Sequence, residues 1–257
     1  MIIFISINMK TIWLKMNPST VEQSVPCNHS SVIDRHRLSP KIMISNIDVR
    51  QLSTWPIEVR VVRVQSPTMF WVKLINDEAA HKEMLERMAL RMRFAAPQLI
   101  LSPNEIIIGT LVAIREGSKW QRGIIEYVGA TSITVNLRDW ARTTERMPHE
   151  CLRLESQFHE MRWQAIPCVL NGILPLRAQV WTEQEVVHAK IIMEKTQGWI
   201  IINDVLSDNA ALVSYLRGGQ TENVPMIDVS TLFIQIGIAK KFKWDKTPTE
   251  SVASQTQ

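Results

Sequence analysis

Arg60, Arg63, Trp71 and Lys73 bring three cations and an indole together within one short stretch. That mixture suits a single-stranded nucleic acid, with charge for the backbone and a ring for base stacking. The plainer alternative is the solvent face of a hairpin with one packed Trp, because these residues alternate with apolar ones. Glu58 joins Arg60 and Arg63 on the same stretch. Phosphodiester hydrolysis would need a calcium-binding carboxylate pair beside an arginine clamp, and no Asp pair stands nearby. The six histidines are scattered and none forms His-Glu-x-x-His. Cys27, Cys151 and Cys168 lie far apart with no Cys-x-x-Cys pair, so a metal centre is not expected. The chain reads as a non-enzyme with no cofactor.

The elements that would position these groups are short and mostly strands. Ile57, Val59 and Val61 alternate with Glu58, Arg60 and Val62; Ser66-Pro67-Thr68 makes a turn; and Phe70, Val72 and Leu74 alternate with Trp71 and Lys73. The pattern predicts a β-hairpin. Asp77 is placed to N-cap a helix whose apolar stripe is Met84, Leu85, Met88 and Met92. Gly109 to Trp140 reads as three strands, with turns at Glu116-Gly117-Ser118 and Gly129-Ala130-Thr131. There Ile133, Val135 and Leu137 face one side, while Thr134, Asn136 and Arg138 face the other. Strands this short bury enough apolar surface only by bending into a small barrel. Thr182-Glu183-Gln184-Glu185 is a capping box opening a helix expected to bury Val186, Val187, Ile191 and Met193. Trp199–Ile202 and Ala211–Leu216 read as strands. A last helix is expected from Asp228 to near Gly237, burying Leu232, Phe233 and Ile236.

With 257 residues, 46% of them hydrophobic, the chain can fill one sizeable core or two small ones. A net charge of +4 makes it mildly basic, without the Lys/Arg blocks of a nucleic-acid arm. Arg35-His36-Arg37 and Lys240-Lys241-Phe242-Lys243 are the densest basic spots and read as solvated margins. The odd, sparse cysteines suit a reducing compartment. The apolar start, Ile2 to Ile7, is too short to span a bilayer and has no preceding positive charge. Met9 and Met16 are alternative starts. Residues 17–53 and 243–257 are rich in polar residues without periodicity, and residues 1–53 and 243–257 are expected to be disordered.

Two runs together resemble an extended Tudor domain. The first is Gly109, Ala113, Gly117, Trp120, Arg122, Asp139 and Trp140; the second is Gln164-Ala165-Ile166-Pro167-Cys168-Val169-Leu170 with Gly172, Ile173 and Pro175. The resemblance covers roughly Trp55 to Lys240 and implies a mainly β fold with some α. A Tudor (SH3-like) barrel, residues 104–155, would be inserted in a staphylococcal-nuclease-like OB-fold subdomain. That subdomain would be formed by residues 54–103, which include the linker helix, and by residues 156–242.

Members of this family enclose a methylated cation in four aromatic rings, each contact contributing about 0.5–2 kcal/mol. Aligned on Gly117, Trp120, Asp139 and Trp140, the four cage positions fall on Ile114, Gln121, Leu137 and Trp140. The Asn that would bond a guanidinium is replaced by Arg142, and the Gly before it by Ala141. One ring cannot enclose a methylated cation, and Arg142 adds charge of the wrong sign. Trp120 is expected in the barrel core.

The resemblance implies a protein-interaction adaptor of the kind found in germline piRNA-mediated transposon silencing. Expected partners are Piwi-class proteins, helicases or other Tudor proteins, in the cytoplasm or perinuclear germ granules (nuage). The degenerate cage implies binding of unmodified peptides or a folded surface in the cleft near Trp140 and Arg142. Two alternatives stand beside it. One is a methylarginine reader with a rearranged cage that borrows Trp163 or Tyr127; the other is single-stranded RNA binding through Arg60, Arg63, Trp71 and Lys73.

Overall fold

The computed structural model describes residues 43–177, 179–218 and 225–243. The N-terminal stretch with Cys27 and Arg35-His36-Arg37, and the tail from residue 244, lie outside the described residues.

The predicted hairpin forms as β1 (Ile57–Val64) and β2 (Met69–Leu74). It belongs to a sheet completed by β8 (Ile166–Leu170), β10 (Gln197–Val205), β11 (Ala211–Arg217) and β12 (Ile227–Asp228). The order is β10-β1-β2-β8-β11-β12, and β10 also pairs with β11, so five of the strands close on themselves. Within this sheet β8 and β11 run parallel and the other pairs antiparallel. Two short strands, β9 (Ile173–Pro175) and β13 (Ala239–Lys241), pair separately. Val59, Val61, Phe70, Val72, Cys168, Val213 and Tyr215 fill this OB-like barrel. Gly198 permits the close β10–β11 contact: a Cβ there would lie 2.4 Å from the Leu216 carbonyl oxygen.

Between β2 and β8 the chain builds a second barrel. Its strands are β3 (Leu111–Glu116), β4 (Lys119–Val128), β5 (Ile133–Leu137), β6 (Arg142–Arg146) and β7 (Leu152–Arg153), in the order β6-β5-β4-β3-β7. Its core is Val112, Ile114, Ile125, Ile133, Val135, Leu137 and Cys151. The expected alternation of β5 holds, with Ile133, Val135 and Leu137 all buried. The fold is therefore mainly β, a five-stranded barrel inserted in an OB-like barrel, as the resemblance implies.

Helix α1 (Ile75–Ala95) joins the two. Its Met84, Met88 and Met92 stripe packs with Ala113 and Leu152 of the second barrel and with Phe158 and Trp163 of the connection to β8. Unbranched Met side chains suit this irregular three-way junction. The helix starts directly after β2, so Leu74 rather than Asp77 is its N-cap. Asp77 and Glu78 sit in the first turn, where their charge complements the helix dipole.

Three further expectations are corrected. By composition residues 43–53 belong to a disordered segment, yet Ile44, Ile47 and Val49 are buried. Their burial comes with long-range contacts: Asn209 Nδ2 donates to the Ile47 carbonyl at 2.7 Å, and Asn209 Oδ1 accepts from the Val49 amide at 3.0 Å. Helix α2 (Glu183–Met193) buries Ala189 and Met193, leaving Val187 and Ile191 exposed. Met193 is buried as expected, but Val187 and Ile191 each lie two positions, about 200°, from Ala189 and so face outward. Helix α3 (Val229–Gln235), with Asp228 as its N-cap, buries Val229 and the expected Phe233, while Ile236 is exposed.

The capping box forms as predicted: Thr182 Oγ1 accepts from the Glu185 amide at 3.3 Å, and the Thr182 amide donates to Glu185 Oε2 at 2.8 Å. Thr182→Ala is expected to destabilise the fold by about 1 kcal/mol. Thermal denaturation should show this as a drop of about 2–4 °C.

Candidate binding site at the junction of the two barrels

The turn between β5 and β6 carries the residues that face the first barrel. The Trp140 amide donates to the Leu137 carbonyl at 2.8 Å, and Ala141 takes a φ of 51°, a conformation that favours glycine. The tight turn projects Trp140 toward β2 and α1. Lys73 of β2 places its Nζ 3.2 Å from the centroid of the Trp140 ring. His81 of α1 lies 6.0 Å away, ring to ring. The Trp140 Nε1–H donates to Gln121 Oε1 at 2.7 Å.

The five predicted site residues are therefore split. Gln121, Trp140 and, on the rim, Arg142 come together at the junction. Ile114 and Leu137 are fully buried in the core of the second barrel. Arg142 is exposed and pairs with Glu116, whose other oxygen lies 3.3 Å from Arg146. Arg63 of β1 crosses to the turn and donates to the Ala141 carbonyl, with its guanidinium carbon 5.7 Å from the Trp71 ring centroid.

The sequence reading missed the anchor beneath this site. Arg122 of β4 is fully buried and uses all three of its guanidinium nitrogens. Nε donates to Asp139 Oδ2 at 2.7 Å and Nη2 to Asp139 Oδ1 at 3.0 Å. Nη1 reaches the Phe158 and Met161 carbonyls at 3.0 and 2.7 Å, and Nη2 the Arg162 carbonyl at 2.7 Å. Asp139 Oδ1 also accepts from the Gln164 amide at 3.0 Å. One ion pair thus ties the β5–β6 turn to the connection between the barrels. The guanidinium also lies over the Trp163 ring, 4.9 Å from its centroid.

The ionisable groups follow from this packing. Burial pulls the Lys73 ammonium down to about 8, against the attraction of Asp139. Burial also lowers His81, although Asp139 opposes that shift. His81 Nε2 lies 3.4 Å from Asp139 Oδ2, and it has no hydrogen-bond partner among the described residues. His81 Nδ1 is 3.4 Å from Lys73 Nζ; the ammonium donates, so the imidazole proton sits on Nε2 facing Asp139. Burial alone would raise the Asp139 carboxyl, but His81 and Arg122 together hold it below its ordinary value.

Neither alternative constellation is assembled. Trp163 is buried under Arg122. Tyr127 is exposed six residues along β4 from Gln121, a distance of about 20 Å for an extended strand. Arg60 is engaged by Glu78, Nε to Oε1 at 2.6 Å, and Lys73 is buried, so the four RNA candidates do not share one free basic face. Trp120, expected in the barrel core, instead packs half-buried against the junction cluster around Met88. Among the described residues no group of His, Cys, Asp and Glu is placed to hold a metal ion, and no helix is long and apolar enough to cross a membrane.

Residues 55–172 match the Tudor domain family model. That stretch is similar to the Tudor domain family, and the fold around it is that of extended Tudor domains. The human TDRD1 extended Tudor domain, solved in complex with a symmetrically dimethylated peptide, superposes with a TM-score of 0.67 at 20% identity. That match covers 83% of this chain and 100% of the other. Extended Tudor domain TD3 of mouse TDRD1, solved with a MILI peptide containing dimethylarginine, gives 0.61 at 16% identity, covering 75% and 96%. A variant of the Drosophila melanogaster Papi extended Tudor domain, solved with a dimethylated Piwi N-terminal peptide, gives 0.62 at 19%, covering 73% and 99%. At these identities the likeness is one of fold. No curated protein matches the chain significantly.

Proposed function

We propose that this chain is a non-catalytic adaptor that docks a protein partner at the junction without the methylarginine cage of its structural relatives. The observation that carries this reading is the fate of the four cage positions. Ile114 and Leu137 are sealed in the core, Gln121 is committed to the Trp140 indole, and Trp140 is the one ring of the four. A single ring contributes about 0.5–2 kcal/mol to cation binding, too little for useful affinity alone. The MILI and Piwi peptides bound by structural relatives support a partner within piRNA-mediated silencing, in cytoplasmic germ granules. Other Tudor proteins and helicases are further candidate partners.

Calorimetric titration of a symmetrically dimethylated arginine peptide against its unmethylated twin tests this. The affinities are expected to agree within about twofold, because less than one full cation–π contact separates them. A preference of about tenfold or more for the methylated peptide, on the order of 1.4 kcal/mol, would overturn the reading.

A further inference from the structure

We propose that Lys73 is the specificity-determining residue of this site, a built-in cation that occupies the Trp140 ring and refuses a cationic ligand there. The inference rests on the reading above and goes further by naming the residue responsible. Three observations converge on it. The ammonium lies 3.2 Å from the ring centroid, well inside the range of about 6 Å over which a ring attracts a cation. Lys73 is only 3% exposed, so its charge is not dispersed into water. Its hydrogen-bond partner is His81 Nδ1, while Asp139, the carboxylate beside it, is already taken bidentately by Arg122. The ring and His81 are thus the groups in direct contact with the ammonium, while Asp139 and Glu78 attract it without a hydrogen bond.

The placement crosses the junction. Lys73 comes from the OB-like barrel and Trp140 from the second barrel, so the contact spans the two barrels that α1 joins. A second cation arriving at this face would meet a fixed like charge in a medium of low dielectric, where repulsion is strong. A ligand cation must displace Lys73 or go elsewhere. An occupied ring and a missing ring differ in one testable respect: the occupied one can be freed.

The test compares wild type with Lys73→Ala, which removes both the charge and the side chain that covers the ring. Each is titrated with symmetrically dimethylated and unmethylated arginine peptides at about pH 7. The variant is expected to gain a preference of about three- to tenfold for the methylated peptide, the yield of one freed ring, while wild type has none. Wild type at about pH 9.5 supplies the same test without a substitution, since that lies above the Lys73 value of about 8. Lys73 loses its charge there, His81 and Asp139 are already deprotonated, and Arg122 and the peptide guanidinium stay charged. A methyl preference should emerge. If both the variant and the high-pH protein remain indifferent to methylation, Lys73 is not the determinant, and the adaptor reading survives. If wild type at neutral pH already prefers the methylated peptide, the adaptor reading fails and this inference falls with it. Should Lys73→Ala not fold, the high-pH titration decides alone.

Discussion

Arg122→Ala is expected to destabilise the protein by about 3–5 kcal/mol, because it leaves Asp139 charged, buried and without its bidentate partner. For a domain of this size that corresponds to a fall in Tm of about 6–20 °C. Arg122→Lys should do little better. One ammonium cannot reproduce a planar fork that reaches Asp139, Phe158, Met161 and Arg162 at once. Replacing both partners, as Arg122→Met with Asp139→Leu, should cost less than the two single changes combined, since neither member of the pair is left as an unpaired charge. Denaturant unfolding of the double variant, its two single variants and wild type measures the coupling. Amide exchange should rise first at residues 158–163 in Arg122→Ala. If Arg122→Ala unfolds within about 1 kcal/mol of wild type, the ion pair is not what joins the turn to the connection.

The barrels were legible because each strand carries a local signal. The β5 alternation and the Thr182 capping box need only their own neighbours to be understood, and both form as expected. The failures share a different origin. Lys73 sits on what period-two alternation marks as the outer side of β2, and alternation cannot show that α1 and a distant turn cover that side. Ile44 and Val49 lie in a polar stretch whose composition favours disorder, and the ordering of this stretch depends on Asn209, far along the chain. Arg122 stood in plain sight within the motif run, but its partners come from Asp139 and from the Phe158, Met161 and Arg162 carbonyls. Of the candidate site, the sequence singled out Trp140, the one ring among the positions it aligned with a cage. It could not reveal that the remaining ring was already occupied.

Acid should release the junction, and the direction follows from three groups that share it. Burial holds His81 below its ordinary 6.5, so as pH falls through that value the unfolded chain binds a proton that the native imidazole resists. Stability from this group is present above 6.5 and is lost below it. Asp139 is held below its ordinary 3.8, so its contribution is present above that value and disappears as pH falls further. Lys73 acts in the same direction at the alkaline end. Between about 8 and 10.5 the unfolded chain holds a proton that the native one has shed, so stability rises with pH across that window. All three slopes carry one sign, and a carboxylate paired like Asp139 typically accounts for about 2–3 kcal/mol between neutrality and strong acid. Thermal denaturation is therefore expected to show Tm climbing by about 4–12 °C between strong acid, roughly pH 1, and pH 7, counting only this cluster. In Asp139→Asn the part below about pH 4 should vanish while the His81 step persists, because the asparagine cannot take up the proton. A Tm that stays flat in wild type across that same range would show that the buried charges at the junction are not held as the geometry requires.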